Sequence, residues 1–128
     1  YGPYESYSDK HRASWVDRFD TTVDDMFEDY VFPQENGSHY NCQYASVGNL
    51  YAKGKKPFSF QASRYSEKEL DEKAHNFELV PSDGIYVALD YKQSGIGSNS
   101  CGPRLAEKYQ IREEKIEWEI SIRFDNGN

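Results

Sequence analysis

Residues 116–124 read IEWEISIRF, and the fold class turns on them. Ile116, Trp118, Ile120, Ile122 and Phe124 alternate with Glu117, Glu119, Ser121 and Arg123, the period of two expected of a strand with one face buried and the other wet. GIYVALDY, residues 84–91, repeats the pattern with Ile85, Val87, Leu89 and Tyr91 on one face. FSFQA, residues 58–62, does so briefly with Phe58, Phe60 and Ala62, and HYNCQYASV, residues 39–47, is β-prone with a weaker alternation. Asn36-Gly37, Lys53-Gly54 and Asp83-Gly84 each put a glycine between such runs, where positive φ is often wanted, so antiparallel connections are expected.

One segment leaves the β pattern. In SEKELDEKAH, residues 66–75, Ser66 can cap a helix and Glu69 can close a capping box, with Leu70 and Ala74 forming an apolar stripe. DRFDTTVDDMFEDYVFP, residues 17–33, is acidic and aromatic without a clean period, which fits either a cover over a sheet or irregular backbone. With no internal repeat and no linker-like stretch, the expected fold is all-β, an antiparallel β-sandwich carrying one short helix.

A chain of 128 residues is one domain's worth, and its 16% aromatic content argues for a packed core despite 29% charged residues. The net charge of −7 and the scattered Lys and Arg make nucleic acid and anionic membranes poor partners. No apolar run nears the roughly 20 residues that span a bilayer, and the N-terminus lacks a signal-peptide core. A soluble, cytoplasmic protein is expected. Position 1 is Tyr and the sole Met is Met26, so an excised or processed piece is expected too. Cys42 and Cys101 are too few for a disulfide framework and lack zinc spacing; two reduced thiols fit better than one bridge.

The run with the most possible chemistries is GIGSNSCGP, residues 95–103. As a dinucleotide fingerprint it has Ser100 where the third glycine belongs, and Cys101-Gly102-Pro103 is a poor helix start. As a nucleophile loop it offers Cys101, but the sequence puts none of His11, His39 and His75 beside it. Asp90 comes nearest to a carboxylate in an apolar setting that would raise its pKa. Asp24-Asp25 could meet a hard cation but reads better as a solvated acidic turn. The Asn36-Gly37-Ser38 sequon is accounted for by its turn.

Three stretches together go beyond a generic β protein: MFEDYVFPQENG at 26–37, FSFQASRYSEKELDEKAH at 58–75 and GIYVALDYKQSGIGSNSCGP at 84–103. With YGPYESYSDKHRASWVDRFD at 1–20 ahead of them, they resemble the C-terminal module of glycoside hydrolase family 2 β-galactosidases. The resemblance implies that residues 1–128 are roughly the second half of a galactose-mutarotase-like supersandwich, with an edge or core face that the parent enzyme covers. It implies a parent that hydrolyses terminal β-galactosides such as lactose with retention, through two carboxylates. Those carboxylates belong to a separate barrel, so the isolated chain is expected to be inactive. No cofactor is expected here, since the family binds magnesium and sodium through other domains. The implied partners are the remaining domains or a large chain, the β-galactoside substrate, and further subunits of an oligomeric parent.

The resemblance carries over one place in this sequence. The loop after LDY reaches the mouth of the family's active site, where enteric relatives have a Trp platform for sugar and many others have SCGP. Cys101 falls at the platform position, with Asn99 and Ser100 beside it as hydrogen-bonding groups. A thiol has little flat apolar area, so stacking there should be weak or absent. Two other readings compete: a stand-alone carbohydrate-binding module, suggested by the many Tyr and the two Trp, and a subunit-assembly β-sandwich.

Overall fold

The computed structural model describes residues 1–97 and 103–125. Strands β1 (His39–Val47), β2 (Leu50–Ser63), β3 (Tyr86–Asp90) and β4 (Ile120–Phe124) form one antiparallel sheet, and the one α-helix among the described residues is α1 (Glu67–Glu72). The chain is therefore all-β and antiparallel with one short helix, as the alternation predicts. Strand β2 is the spine. Strand β1 runs along one edge of it, while β4 pairs with Leu50 to Gly54 and β3 with Ser59 to Ser63 on the other.

Strands β1 and β2 form a hairpin closed at Val47 and Leu50, which leaves Gly48 and Asn49 as a two-residue loop. Gly48 has φ +56°; glycine first in such a loop is the type II′ arrangement, whose twist matches that of paired strands. This reversal replaces the one expected at Lys53-Gly54. Pairing of β2 with β1 and β4 continues through Lys53, and with β4 through Gly54, so that glycine lies inside a strand. The register with β1 shifts between Lys53 and Phe58, and a Cβ at Gly54 would stand 2.2 Å from the Lys56 carbonyl oxygen. Gly54 thus marks a bulge in which the backbone approaches itself too closely for a side chain.

Met26, Ala45, Ala52, Phe58, Phe60 and Ala62 make the buried core, and Val87, Leu89, Trp118 and Ile120 pack against it. These follow the expected inward phases. Ser59 and Gln61, on the opposite side of β2, are buried as well, and Gln61 Nε2 donates to the Asn36 carbonyl. The middle of β2 is therefore covered on both faces.

The last strand is shorter than the sequence suggests. It begins at Ile120, and Ile116, Ile122 and Phe124 are 49%, 50% and 58% exposed. Ile122 lies opposite Ala52 and Phe124 opposite Leu50, so both share the core side of the sheet, on an outer strand beyond the core cluster. Alternation had fixed the side, but burial needs a covering layer. Ile85, just ahead of β3, is 44% exposed for the same reason.

Helix α1 starts as its sequence dictates: Ser66 Oγ accepts the Glu69 amide at 3.0 Å, and Leu70 is buried. The box is left open, because the Glu69 carboxylate instead accepts the Val80 amide at 2.9 Å. The helix ends at Glu72, so Ala74 lies beyond its stripe. Residues 1–38 contain only a short 3-10 turn, Asp24–Met26, among irregular backbone. That segment is tied to β1 by Ser6, whose amide donates to the Ser38 carbonyl at 2.7 Å and whose hydroxyl accepts the Tyr40 amide at 2.9 Å.

Candidate functional site

Glu5 sits beside Ser6 with its side chain only 3% exposed. Its carboxylate accepts the Gly37 amide at 3.0 Å, the Tyr7 hydroxyl at 3.2 Å, the Tyr30 hydroxyl and the Lys10 ammonium. Burial alone would raise its pKa, but the hydrogen bonds from Lys10, Tyr30 and the Gly37 amide outweigh it and hold the carboxyl below its ordinary value. Burial and the neighbouring Glu5 charge push the Tyr7 phenol up. Lys10, against its own partial burial, is held above its ordinary value by Glu5 and Tyr30. With four donors on its two oxygens, Glu5 is a structural charge that joins residues 5–10, Tyr30 and Gly37.

The turn that follows projects Asp9. Tyr7 and Lys10 exchange backbone hydrogen bonds of 2.8 and 3.1 Å, which fixes the two residues between them. Asp9 Oδ1 accepts the amide of Ile96 at 3.0 Å and Oδ2 that of Gly97 at 2.9 Å. The Gly95 amide donates to the Tyr109 carbonyl at 3.0 Å. A Cβ at Gly95 would stand 2.5 Å from the Asp9 carboxylate, so glycine is required for the approach. Consecutive amides of this kind form an anion-binding nest, and here its anion is the chain's own aspartate. The dinucleotide-fingerprint reading of the run loses the Ile96 and Gly97 amides to Asp9.

The stretch leading into the loop holds a second polar cluster. Asp90 Oδ2 accepts Gln93 Nε2 at 3.1 Å, and Gln93 Oε1 accepts the Ser38 hydroxyl at 3.0 Å. Burial, then the charge of Glu67, raises the Asp90 pKa. Burial followed by the charges of Asp90 and Glu67 does the same to Glu35. Asp90 is thus the perturbed carboxylate its setting suggested. A cleft of about 250 Å³ opens here, lined by Tyr7, Glu35, Gln93, Ser94 and Ile96.

Cys101, Asn99 and Ser100, the residues assigned to the pocket edge, lie outside the described residues. The described part of the same loop, residues 95–97, is the part that Asp9 holds. Cys42 is half-buried, donates to the His39 carbonyl at 3.3 Å and has its thiol pKa raised by burial, the opposite of an activated nucleophile. The histidines have separate commitments: His11 Nδ1 to the Tyr7 carbonyl, His39 Nδ1 to the Tyr1 carbonyl and His75 Nδ1 to Glu78. Asp24 pairs with Arg64 at 2.9 Å, and Asp25 accepts the Thr22 hydroxyl at 2.7 Å. Among the described residues, no group of three or more His, Cys, Asp or Glu could hold a metal ion. Nor is any helix there long and apolar enough to cross a membrane.

The sequon asparagine is likewise committed. Asn36 is 5% exposed, accepts the Glu28 amide at 2.9 Å and donates to the Gln34 carbonyl at 2.8 Å. Glu5 and Asp9 escaped the sequence reading altogether. Their partners lie 32 and 88 residues away at Gly37 and Gly97, and YESYSDK carries no local signal of either contact.

Comparison with known proteins shows the family. The family described as beta galactosidase small chain matches residues 1–124. The β-galactosidase of Actinobacillus pleuropneumoniae is 49% identical over 125 residues, covering 98% of this chain and 12% of that protein. The β-galactosidase of Staphylococcus xylosus is 41% identical over 127 residues, 96% of this chain and 13% of its own length. That of Vibrio cholerae is 32% identical over 123 residues, again 12% of its length. The chain therefore spans about an eighth of the length of the curated relatives it matches.

Proposed function

This chain belongs to the β-galactosidase small-chain family, and on that premise we propose that it serves a β-galactosidase as scaffold and as one edge of the substrate pocket. One observation carries the reading: similarity runs along 98% of this chain but only 12% of the relative. A chain that matches a short part of a much longer enzyme along nearly all of its own length reads as a module of such an enzyme.

The chemistry then belongs elsewhere in the parent. Retaining hydrolysis of a terminal β-galactoside such as lactose needs one carboxylic acid for protonation and a second carboxylate as nucleophile. Glu5, the most buried carboxylate described, has its lone pairs filled by four donors and is not available for either role. In this reading the catalytic pair, with any magnesium and sodium, sits in other domains of a cytoplasmic, oligomeric parent. This chain supplies the second half of a supersandwich. Cys101, Asn99 and Ser100 meet the sugar from the loop that Asp9 anchors.

Complementation tests the proposal. Mixed with a parent enzyme truncated ahead of this module, the chain should restore hydrolysis of a chromogenic β-galactoside, and alone it should show none. Turnover by the chain alone would sink the assignment of chemistry to other domains. The pocket-edge role has its own test, since Cys101→Trp in the whole enzyme should change KM for a β-galactoside while thermal stability stays put. Heat evolved on titrating the isolated chain with galactose or lactose would favour a stand-alone sugar-binding module instead.

A further inference from the structure

We infer that an apolar, acid-rimmed surface formed by residues 29–32 and 75–80 docks against the remaining polypeptide of the β-galactosidase, on apolar side chains flanked there by Lys and Arg. This rests on the reading of the chain as a module of a longer enzyme. The surface is separate from the pocket edge and from the sheet.

Four of the five most exposed large hydrophobic side chains among the described residues fall in two short segments. Val31 is 87% exposed and Phe32 64%, while Phe77 is 84% exposed and Val80 68%. None of the four lies in a strand. Polar groups join the segments. Asn76 Nδ2 donates to the Asp29 carboxylate and to the Tyr30 carbonyl, which brings the turn that carries Phe77 against the stretch that carries Val31 and Phe32. Arg64 donates to Asp24 at 2.9 Å and to the Ser82 carbonyl at 3.5 Å, and Glu69 accepts the Val80 amide at 2.9 Å. The His75 ring stacks on Phe77 with centroids 5.1 Å apart, and Phe77 stays exposed all the same. Hydrogen bonds are thus spent on holding the backbone while the apolar groups are left to water. Single exposed hydrophobics are ordinary on a protein surface; a group fixed in place marks a contact surface.

The rim says what fits. Every charged residue in 24–32 is acidic: Asp24, Asp25, Glu28 and Asp29. Residues 71–83 add Asp71, Glu72, Glu78 and Asp83 against Lys73. Arg64 offsets Asp24 and Lys68 offsets Glu72, which leaves the rim negative. Complementary potential calls for cations around the partner's apolar side chains. A second copy that presented the same surface about a two-fold axis would set acid against acid. The remaining polypeptide has no such constraint, and it is long, since this chain covers 12% and 13% of two relatives.

The test uses the whole β-galactosidase that contains this chain. Hydroxyl-radical labelling of the native enzyme is compared with that of its tryptic digest, reading Phe32 and Phe77. Phe77 should react about tenfold more slowly in the native enzyme, as an 84% exposed ring would on entering the core of a contact. Comparable rates in the two samples would overturn the inference. Phe77→Ser and Phe32→Ser should each lower the thermal inactivation midpoint by several degrees, whereas solvated side chains can be exchanged almost neutrally. Unchanged midpoints in both variants would count against docking. Asp83→Lys should lower the midpoint more in dilute buffer than at about 1 M salt, where charges more than about 3 Å apart are screened. A midpoint that holds or rises would overturn the basic character of the partner. Sedimentation of Phe77→Ser should show an unchanged assembly, and a smaller one would assign the surface to a second copy instead. The module reading fails by a different result, turnover by this chain alone.

Discussion

The Asp9 carboxylate receives the Gly97 amide at 2.9 Å across 88 residues of sequence, and Gly95 must lack a side chain for the two segments to meet. The same contact orders two substitutions. An added methyl at Gly95 would lie 2.5 Å from the carboxylate, whereas one at Gly97 would lie 3.1 Å from a single oxygen of it. Gly95→Ala should loosen the loop by about 1–3 kcal/mol, the usual cost of overpacking, and Gly97→Ala by well under that. Amide exchange at Ile96 in the two variants measures the difference. A larger effect from Gly97→Ala would mean that the Asp9 contact is not what restricts the loop.

Glu5→Ala should rank among the most damaging single changes in the chain. It strands the Gly37 amide and the Tyr7 hydroxyl, both buried, and removes the anionic partner of Lys10, leaving it the Tyr30 hydroxyl. Losing one member of a buried, hydrogen-bonded ion pair costs about 3–5 kcal/mol. Lys10 keeps 49% of its side chain in solvent and can rehydrate, which points to the lower end. Urea unfolding of the chain would show it, and a loss below about 1 kcal/mol would contradict the network.

The acid side of the stability profile should fall in two stages. His39, whose pKa is lowered chiefly by burial, stays neutral in the fold while the unfolded chain protonates near the ordinary value of 6.5. The unfolded state then binds the extra proton, so stability declines as pH drops from about there. Glu5 follows, because its folded pKa lies below the ordinary 4.5: its contribution is complete above that value and is lost as pH falls through the folded one. Exposed Glu78 and Glu113 shift in the same direction but carry little weight in water. His39→Gln should flatten the first stage and Glu5→Gln the second. If denaturation midpoints taken from pH 8 to pH 3 keep both steps in both variants, other groups are responsible.

What the sequence disclosed depended on the range of the force involved. The Ser66 cap was legible because its partner, the Glu69 amide, is three residues away. Phe58, Phe60 and Ala62 were legible because they lie on the central strand, whose core face is covered by Met26, Val23 and Trp118 from outside the sheet. Ile122 and Phe124 obey the same alternation, yet their burial depends on what covers an outer strand, which alternation does not encode. The hairpin at Gly48 was hidden by a local irregularity: the register of β1 shifts twice near Cys42, and Asn41 takes φ +60°, which blurs the period of two that would have marked the strand's end. Glu5 and Asp9 were illegible for a simpler reason. A carboxylate in a turn looks solvated until the chain folds back and brings amides to it.

Gly37 and Gly48 separate conformational strain from steric contact. Both have positive φ, +71° and +56°, so alanine at either should pay the left-handed penalty of about 1–2 kcal/mol. At Gly48 a Cβ would meet nothing within 4 Å, while at Gly37 it would stand 2.3 Å from the Met26 carbonyl oxygen. Gly37→Ala should therefore cost about 1–3 kcal/mol more than Gly48→Ala. Equal losses in urea would show that the Met26 backbone gives way freely.

Asp90→Asn should stabilise the chain at neutral pH, by under about 1 kcal/mol for a partly buried group. Burial, then Glu67, raises the Asp90 pKa above the ordinary 3.8, so above that folded pKa the fold bears the cost of a charge that the unfolded chain hydrates. Asparagine removes the charge and can still accept the Gln93 Nε2 hydrogen bond through its oxygen. The sign of the pH dependence follows from linkage. As pH falls through the raised pKa, the folded wild type takes up its proton before the unfolded chain does and gains stability relative to the variant. The advantage of Asp90→Asn should therefore be full at pH 8, shrink through the acid range and vanish near the ordinary aspartate pKa. Urea midpoints for the two proteins at pH 8, 6, 5 and 4 supply the comparison. A variant less stable at pH 8 would instead make the charged Asp90–Gln93–Ser38 chain net favourable, with Asp90 held as an anion to orient Gln93 beside the loop.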